Sequence, residues 1–136
     1  MRTAIFLILL AGTYMAGAQP AAVRLSALPG MYRGKFPCAD CRGMHSTLKL
    51  ACGPDCAAGD YALTDMYING AYGNTINNKT GKWVVIERRS GDLVLALDKE
   101  TNKASYYYIK KDGNLQPLDK RQQPMEVSYD ITMRKQ

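Results

Sequence analysis

The chain has little histidine, tryptophan or phenylalanine, with one, one and two in 136 positions, and the single histidine limits the catalysis it can support. A catalytic zinc centre of the usual kind calls for a second histidine, and a serine triad for a paired histidine and carboxylate. Neither set is present. There is no Gly-rich phosphate loop, no internal repeat and no low-complexity tract. Beyond residue 18 no apolar run approaches the ~20 residues of a membrane span, and nowhere do apolar residues recur through three helical turns. These absences set aside a nucleotide-phosphate enzyme, a metallohydrolase, a helical membrane protein and a helix bundle. A mass of 15.1 kDa is that of one domain.

The start of the chain reads as an address. Met1-Arg2 is positive, Ala4 to Ala11 is an apolar run, and Ala16-Gly17-Ala18 puts small residues where a signal peptidase reads. That order is a secretory signal, so residues 1–18 are expected to be removed and the mature protein to begin at Gln19. Residues 19–29, rich in small residues and proline, read as a leader, and residues 30–136 as the domain. Export excludes a cytosolic enzyme and a nucleic-acid binder. The net charge of +6 is spread over Arg88-Arg89, Lys110-Lys111, Lys120-Arg121 and Arg134-Lys135, most of them beside turns. Scattered pairs are solvated loop ends, whereas a nucleic-acid footprint is a clustered stripe. The charge permits only a weak attraction to an anionic lipid surface.

From Gly30 onward the signals are those of strands. Met31 to Phe36 is short and mixed, and Met44, Ser46, Leu48 and Leu50 alternate with His45, Thr47 and Lys49 at period two. Tyr61 to Ile68 ends at Asn69-Gly70, a hairpin dipeptide. Trp83 to Glu87 and Leu93 to Leu97 flank Ser90-Gly91, Tyr106 to Ile109 runs to Asp112-Gly113, and Val127 to Ile131 is expected to close the chain. Seven or eight short strands joined by such turns predict an all-β fold, a meandering antiparallel barrel or sandwich.

Cys38, Cys41, Cys52 and Cys56 are spaced C-x2-C-x10-C-x3-C. The spacing could be drawn as a tetrahedral zinc site, but an oxidising compartment converts nearby thiols to disulfides. Four cysteines allow three pairings, and the sequence does not choose among them. Local bridges, Cys38 with Cys41 and Cys52 with Cys56, are favoured over crossed ones and over a structural metal. Thiol-oxidoreductase chemistry needs the first cysteine of C-x-x-C at a helix N-terminus, and here Pro37 precedes it and a strand follows. Cys38, Cys41, Met44 and His45 offer thiolate, thioether and imidazole, donors that suit Cu(I). Alternation sends Met44 and His45 to opposite faces, and a disulfide offers no thiolate. Asp40 between the cysteines reads as a turn cap.

The run Gly34-Lys35-Phe36-Pro37-Cys38-Ala39-Asp40-Cys41-Arg42-Gly43-Met44 resembles the N-terminal domain of the NlpE family of copper-resistance and envelope-stress lipoproteins. Thr47, Leu48 and Leu50 fit the strand that follows. Tyr61 and Leu63, Gly81-Lys82-Trp83, Leu95 and Leu115-x-x-Leu118-Asp119 then look like that family's later landmarks, in order, between about Met31 and Met125. The resemblance implies a small lipocalin-like β-barrel in the bacterial envelope, with Cys38 and Cys41 as a redox- or metal-responsive pair. It also implies links to copper homeostasis, adhesion and signalling to the Cpx sensor kinase. Two departures stand out. A lipoprotein signal ends in Leu-Ala-Gly-Cys, but Leu10-Ala11-Gly12 is followed here by Thr13, so no lipid anchor is expected and the mature protein is read as soluble and periplasmic. The family's longest members continue into a second domain, which this chain does not reach. Cys52 and Cys56 look like an addition.

The leading expectation is therefore a non-enzymatic periplasmic domain serving copper or redox stress tolerance, with no required cofactor and Cu(I) as a candidate ligand. Its partner would be an envelope-stress sensor kinase or another envelope protein. A second expectation is a lipocalin-like binder of a small apolar ligand, with Tyr67, Tyr72 and Trp83 as mouth candidates. A third is an inhibitor or docking partner of an envelope enzyme, steered by basic charge.

Overall fold

The computed structural model describes residues 25–54 and 56–136. The expected signal peptide, its cleavage point and the first half of the leader lie outside the described residues. Alternation sets the first wall of the sheet. In β2 (Gly43–Cys52) Ser46, Leu48 and Leu50 are buried while His45, Lys49 and Ala51 face solvent. β1 (Gly30–Phe36) pairs along it from Gly30↔Leu50 to Phe36↔Met44, and β3 (Ala58–Gly70) pairs on its other side, placing Tyr61 opposite Leu50, Leu63 opposite Leu48 and Asp65 opposite Ser46. One face therefore carries Met44, Ser46, Leu48, Leu50, Tyr61, Leu63, Asp65 and Tyr67.

β4 (Gly73–Glu87) is far longer than its apolar stretch predicts. Residues 74–78 are exposed on both faces and carry no hydrophobic alternation, so only the ladder to β3 reveals them as strand. β5 (Leu93–Leu97) pairs with β4 from Trp83↔Leu97 to Glu87↔Leu93, and all five of its residues are buried. β6 (Ser105–Ile109) and β7 (Leu115–Leu118) continue the meander. β8 (Arg134–Lys135) adds to β1, giving the order β7-β6-β5-β4-β3-β2-β1-β8. The expected all-β antiparallel barrel of seven or eight strands is borne out, with eight strands.

The closing element differs from the expected Val127 to Ile131. Val127 and Tyr129 are exposed outside any strand, and Asp130 accepts the Thr132 N–H at 2.9 Å, turning the chain. Closure falls to Met133, which exchanges two bonds with Leu115: Leu115 N–H to Met133 O at 2.9 Å and Met133 N–H to Leu115 O at 2.8 Å. Two residues on, the equivalent donor would be that of Pro117, which has none. The seam therefore stops almost where it starts, and the barrel is nearly closed rather than sealed.

The core starts before Gly30. Leu25 packs on it and Leu28 is buried within it, and the buried Tyr32 hydroxyl donates to Leu28 O at 2.6 Å. The widest side chain, Trp83, is 1 % exposed and reaches over Gly59, its cross-strand partner, to donate Nε1–H to Ala51 O at 2.9 Å. Only glycine admits that path, since a Cβ on residue 59 would lie 1.9 Å from Ala51 O. At the end of β5, Asp98 takes φ +49° and receives the Tyr61 hydroxyl at 2.6 Å and the Lys79 ammonium at 3.2 Å. The Tyr61 bond holds the Asp98 carboxyl below the usual carboxylate range; burial opposes it, and Lys79 and the Lys82 N–H add to the lowering. Burial first, and then the hydrogen bond to Asp98 and its charge, push the Tyr61 hydroxyl above its ordinary value.

Candidate functional site

The β1–β2 connection carries the C-x-x-C. Because Phe36 still pairs with Met44, residues 37–42 form a tight loop, and Arg42 N–H donating to Ile68 O at 3.0 Å pins its end to β3. Cys38 and Cys41 are half-buried, with sulfurs 2.07 Å apart and Cα atoms 5.2 Å apart. Cys52 and Cys56 also stand at disulfide distance, with Cα atoms 4.8 Å apart, in the β2–β3 loop. The two pairs sit at opposite ends of β2, roughly 30 Å apart at the usual rise per residue, so the arrangement is local and not crossed. Gly53 N–H donates to Ala58 O at 3.0 Å, closing the second loop, and Cys56 adopts φ +54° within it.

Met44 and His45 follow the first pair but diverge. Met44 lies on the inward face opposite Tyr67, and His45 is exposed on the other. Among the described residues no three histidines, cysteines or carboxylates are placed to hold one ion. Of the four side chains expected to suit Cu(I), the sulfurs of Cys38 and Cys41 stand together, while Met44 and His45 lie on opposite faces of β2.

The three aromatics expected at a ligand mouth are not assembled. Tyr67 is half-buried toward the C-terminal end of β3, Tyr72 is 99 % exposed in the β3–β4 turn, and Trp83 is buried at the other end of the sheet, on the wall of a separate cavity of about 680 Å³ with Pro54, Ala58 and Thr101. Trp83 and Tyr67 pair with Gly59 and Thr75 respectively, eight positions apart along β4. Tyr72 is corrected most sharply: a two-residue turn beyond the barrel gives an aromatic ring nothing to pack on. A cavity of about 350 Å³ does open beside the C-x-x-C loop, lined among others by Phe36, Met44, Ser46, Leu63, Asp65 and Tyr107. Sequence reasoning passed over its polar members. The buried Ser46 donates Oγ–H to Asp65 Oδ1 at 2.5 Å, and Tyr107, raised to about 12 by burial and then by the Asp65 charge, stays protonated beside them. The signal was available in the alternation itself, because a serine occupies the inward row that Leu48 and Leu50 define.

The model of the family described as the NlpE N-terminal domain matches residues 32–128, the whole barrel short of its closing tail. The chain belongs to the NlpE family. It is 29 % identical over 112 residues to lipoprotein NlpE of Escherichia coli K12, covering 82 % of this chain and 43 % of that protein. Among solved structures it resembles the Cpx pathway activator NlpE from Escherichia coli, with a TM-score of 0.53 and 30 % identity over 79 % of this chain and 51 % of that one. A Shewanella oneidensis structure assigned as a lipoprotein shares the fold, with a TM-score of 0.57 and 22 % identity over 79 % and 88 % of the two chains. The chain thus spans about half the length of its NlpE relatives. The C-x-x-C loop falls inside the matched region. Among the described residues no helix is long and apolar enough to cross a membrane.

Proposed function

We propose that this NlpE domain is an exported, non-enzymatic sensor of copper and redox stress in the bacterial envelope, working through Cys38 and Cys41. The observation that carries the reading is the half-buried sulfur pair on the β1–β2 loop, inside the region that matches the family. A bridge across two intervening residues closes a very short ring, so it restrains the unfolded chain little. Its position on a loop leaves it open to thiol–disulfide exchange. A dithiol of the envelope would give two electrons and two protons to the Cys38–Cys41 bond and leave as its own disulfide. The freed thiols, as thiolates, are soft donors that suit Cu(I) better than any carboxylate nearby. Met44 and His45, on opposite faces of β2, would not both join them. The similarity to a Cpx pathway activator supports an envelope signalling protein as partner.

A competition titration against a Cu(I) chelator of known affinity tests the reading. The reduced protein should bind Cu(I), Cys38→Ser with Cys41→Ser should abolish that binding, and Cys52→Ser with Cys56→Ser should leave it nearly unchanged. If the reduced protein binds no more tightly than the first double variant, the pair is only a structural staple.

A further inference from the structure

We propose that the cavity beside the β1–β2 loop binds a small organic cation, a primary or quaternary ammonium borne on a compact apolar body. The inference stands apart from the copper reading, because it uses none of the cysteines. Its centre is Asp65. Strand register puts this carboxylate on the inward face, directly opposite Ser46, and both line the cavity with Phe36, Met44, Leu63 and Tyr107.

Ser46 supplies one hydrogen bond, to Oδ1, while a carboxylate offers about four acceptor sites. No cation compensates the charge: the four ion pairs among the described residues do not include Asp65. Lys79, on the same inward face of β4, is held instead by Asp98 and by Lys103 O. Lys120 borders the cavity without coming within ion-pair distance. The cavity's other carboxylate, Asp119, accepts the Arg121 and Gln123 N–H groups at 2.8 and 2.9 Å, so Asp65 is the one with acceptor sites to spare, and a half-buried carboxylate without a counter-ion is costly. For packing alone, an aliphatic side chain would serve better at that place in the row.

An ammonium entering the cavity would restore the missing charge at Asp65. Its apolar body would meet Phe36, Met44 and Leu63, and the aromatic rings nearby add attraction for a cation. A cavity of about 350 Å³ is at the small end of ligand sites, which favours a compact body over a long lipid chain.

Isothermal titration of the oxidised protein with three shape-matched probes decides the matter: 2-phenylethylammonium, 2-phenylethanol and 3-phenylpropanoate. A charge-assisted bond to Asp65 should make the ammonium bind about tenfold or more tightly than the alcohol. In Asp65→Asn, which can still accept from Ser46, that preference should fall to within about twofold. In Lys120→Ala it should persist. Equal binding of ammonium and alcohol, tighter binding of the carboxylate, no binding of any probe, or an undiminished preference in a folded Asp65→Asn would each overturn the proposal. The comparison of probes on the unmodified protein holds even if the Asp65 variant fails to fold.

Discussion

Trp83 offers the sharpest check on how the barrel is held together. Its indole is sealed in the core and hydrogen-bonded to Ala51 O across β3. Burying an aromatic side chain removes ~150–250 Å² from water, which at ~25 cal/mol per Å² is about 4–6 kcal/mol as an upper bound. Measured truncations of large aromatics average about 3–5 kcal/mol, and Trp83→Ala should fall in that range. Trp83→Phe separates the ring from the bond. Phenylalanine fills most of the space but donates nothing, and the lost bond contributes about 1 kcal/mol. Adding the smaller ring's cavity, the expected cost of Trp83→Phe is about 1.5–3 kcal/mol. Because Trp83 is the sole tryptophan, urea unfolding should be followed by far-UV circular dichroism, with equal slopes in each variant as the check on two-state comparison. A loss below about 1 kcal/mol for Trp83→Ala would refute the argument, since no side chain so placed could be removed so cheaply.

Other expectations follow from the same geometry. Gly59→Ala should destabilise by more than 2 kcal/mol in the same urea assay, roughly at the severe end for single substitutions, because the added carbon meets backbone at 1.9 Å. Asp98→Ala should cost about 2–3 kcal/mol, stranding the buried Tyr61 hydroxyl and placing alanine at positive φ, while Asp98→Asn should cost about half as much. Asp98 has its folded pKa depressed, chiefly by Tyr61, so its stabilisation is full above the usual carboxylate value of ~3.9 and is lost as pH falls through the lower folded value. Acid unfolding curves of wild type and Asp98→Asn should therefore begin to converge below about pH 4 and meet only below the depressed folded value of Asp98. Cys38→Ser with Cys41→Ser should lower stability by no more than about 2 kcal/mol, as expected for so short a ring, measured by urea unfolding under oxidising conditions.

Much of the barrel could be read from residues alone, where one face of a strand is buried and the other wet. Ser46, Leu48 and Leu50 announced β2, and the unbroken Leu93 to Leu97 announced a strand covered on both sides. Where neither face is buried, as from Asn74 to Asn78, periodicity has nothing to report and the strand is visible only through its partner. The closing tail was misplaced because Val127 and Tyr129 have strand-forming side chains, whereas Arg134 and Lys135, which do pair, are exposed and charged. Leu28 was hidden in a stretch whose composition suggests a leader. At the site, the sulfur pair was legible because it is local in sequence. The joining of Ser46 to Asp65, and of Tyr61 to Asp98, was not, because each depends on how distant strands align. Tyr72 misled for the opposite reason: residue type suggests burial, and a turn position overrides it.

Successive hairpins join β1 through β7, each strand pairing with the next in sequence, so most of the sheet can assemble by local steps on the ~1–10 μs scale of hairpin formation. Bringing β8 back to β1 spans about a hundred residues, a loop closure whose entropy must be met late. The barrel thus behaves as a zipper with a latch. The latch consists of two bonds between Leu115 and Met133, two residue pairs with β1, and bonds from Thr132, Lys135 and Gln136 to Gln116, Asn114 and Met31, all of them made by the last few residues of the chain. While it is open, the edges of β1 and β7 and the otherwise sealed Leu115 and Met133 meet solvent. Because Met133 is both the clasp and a fully buried core side chain, opening the seam and exposing the core at that edge are one event.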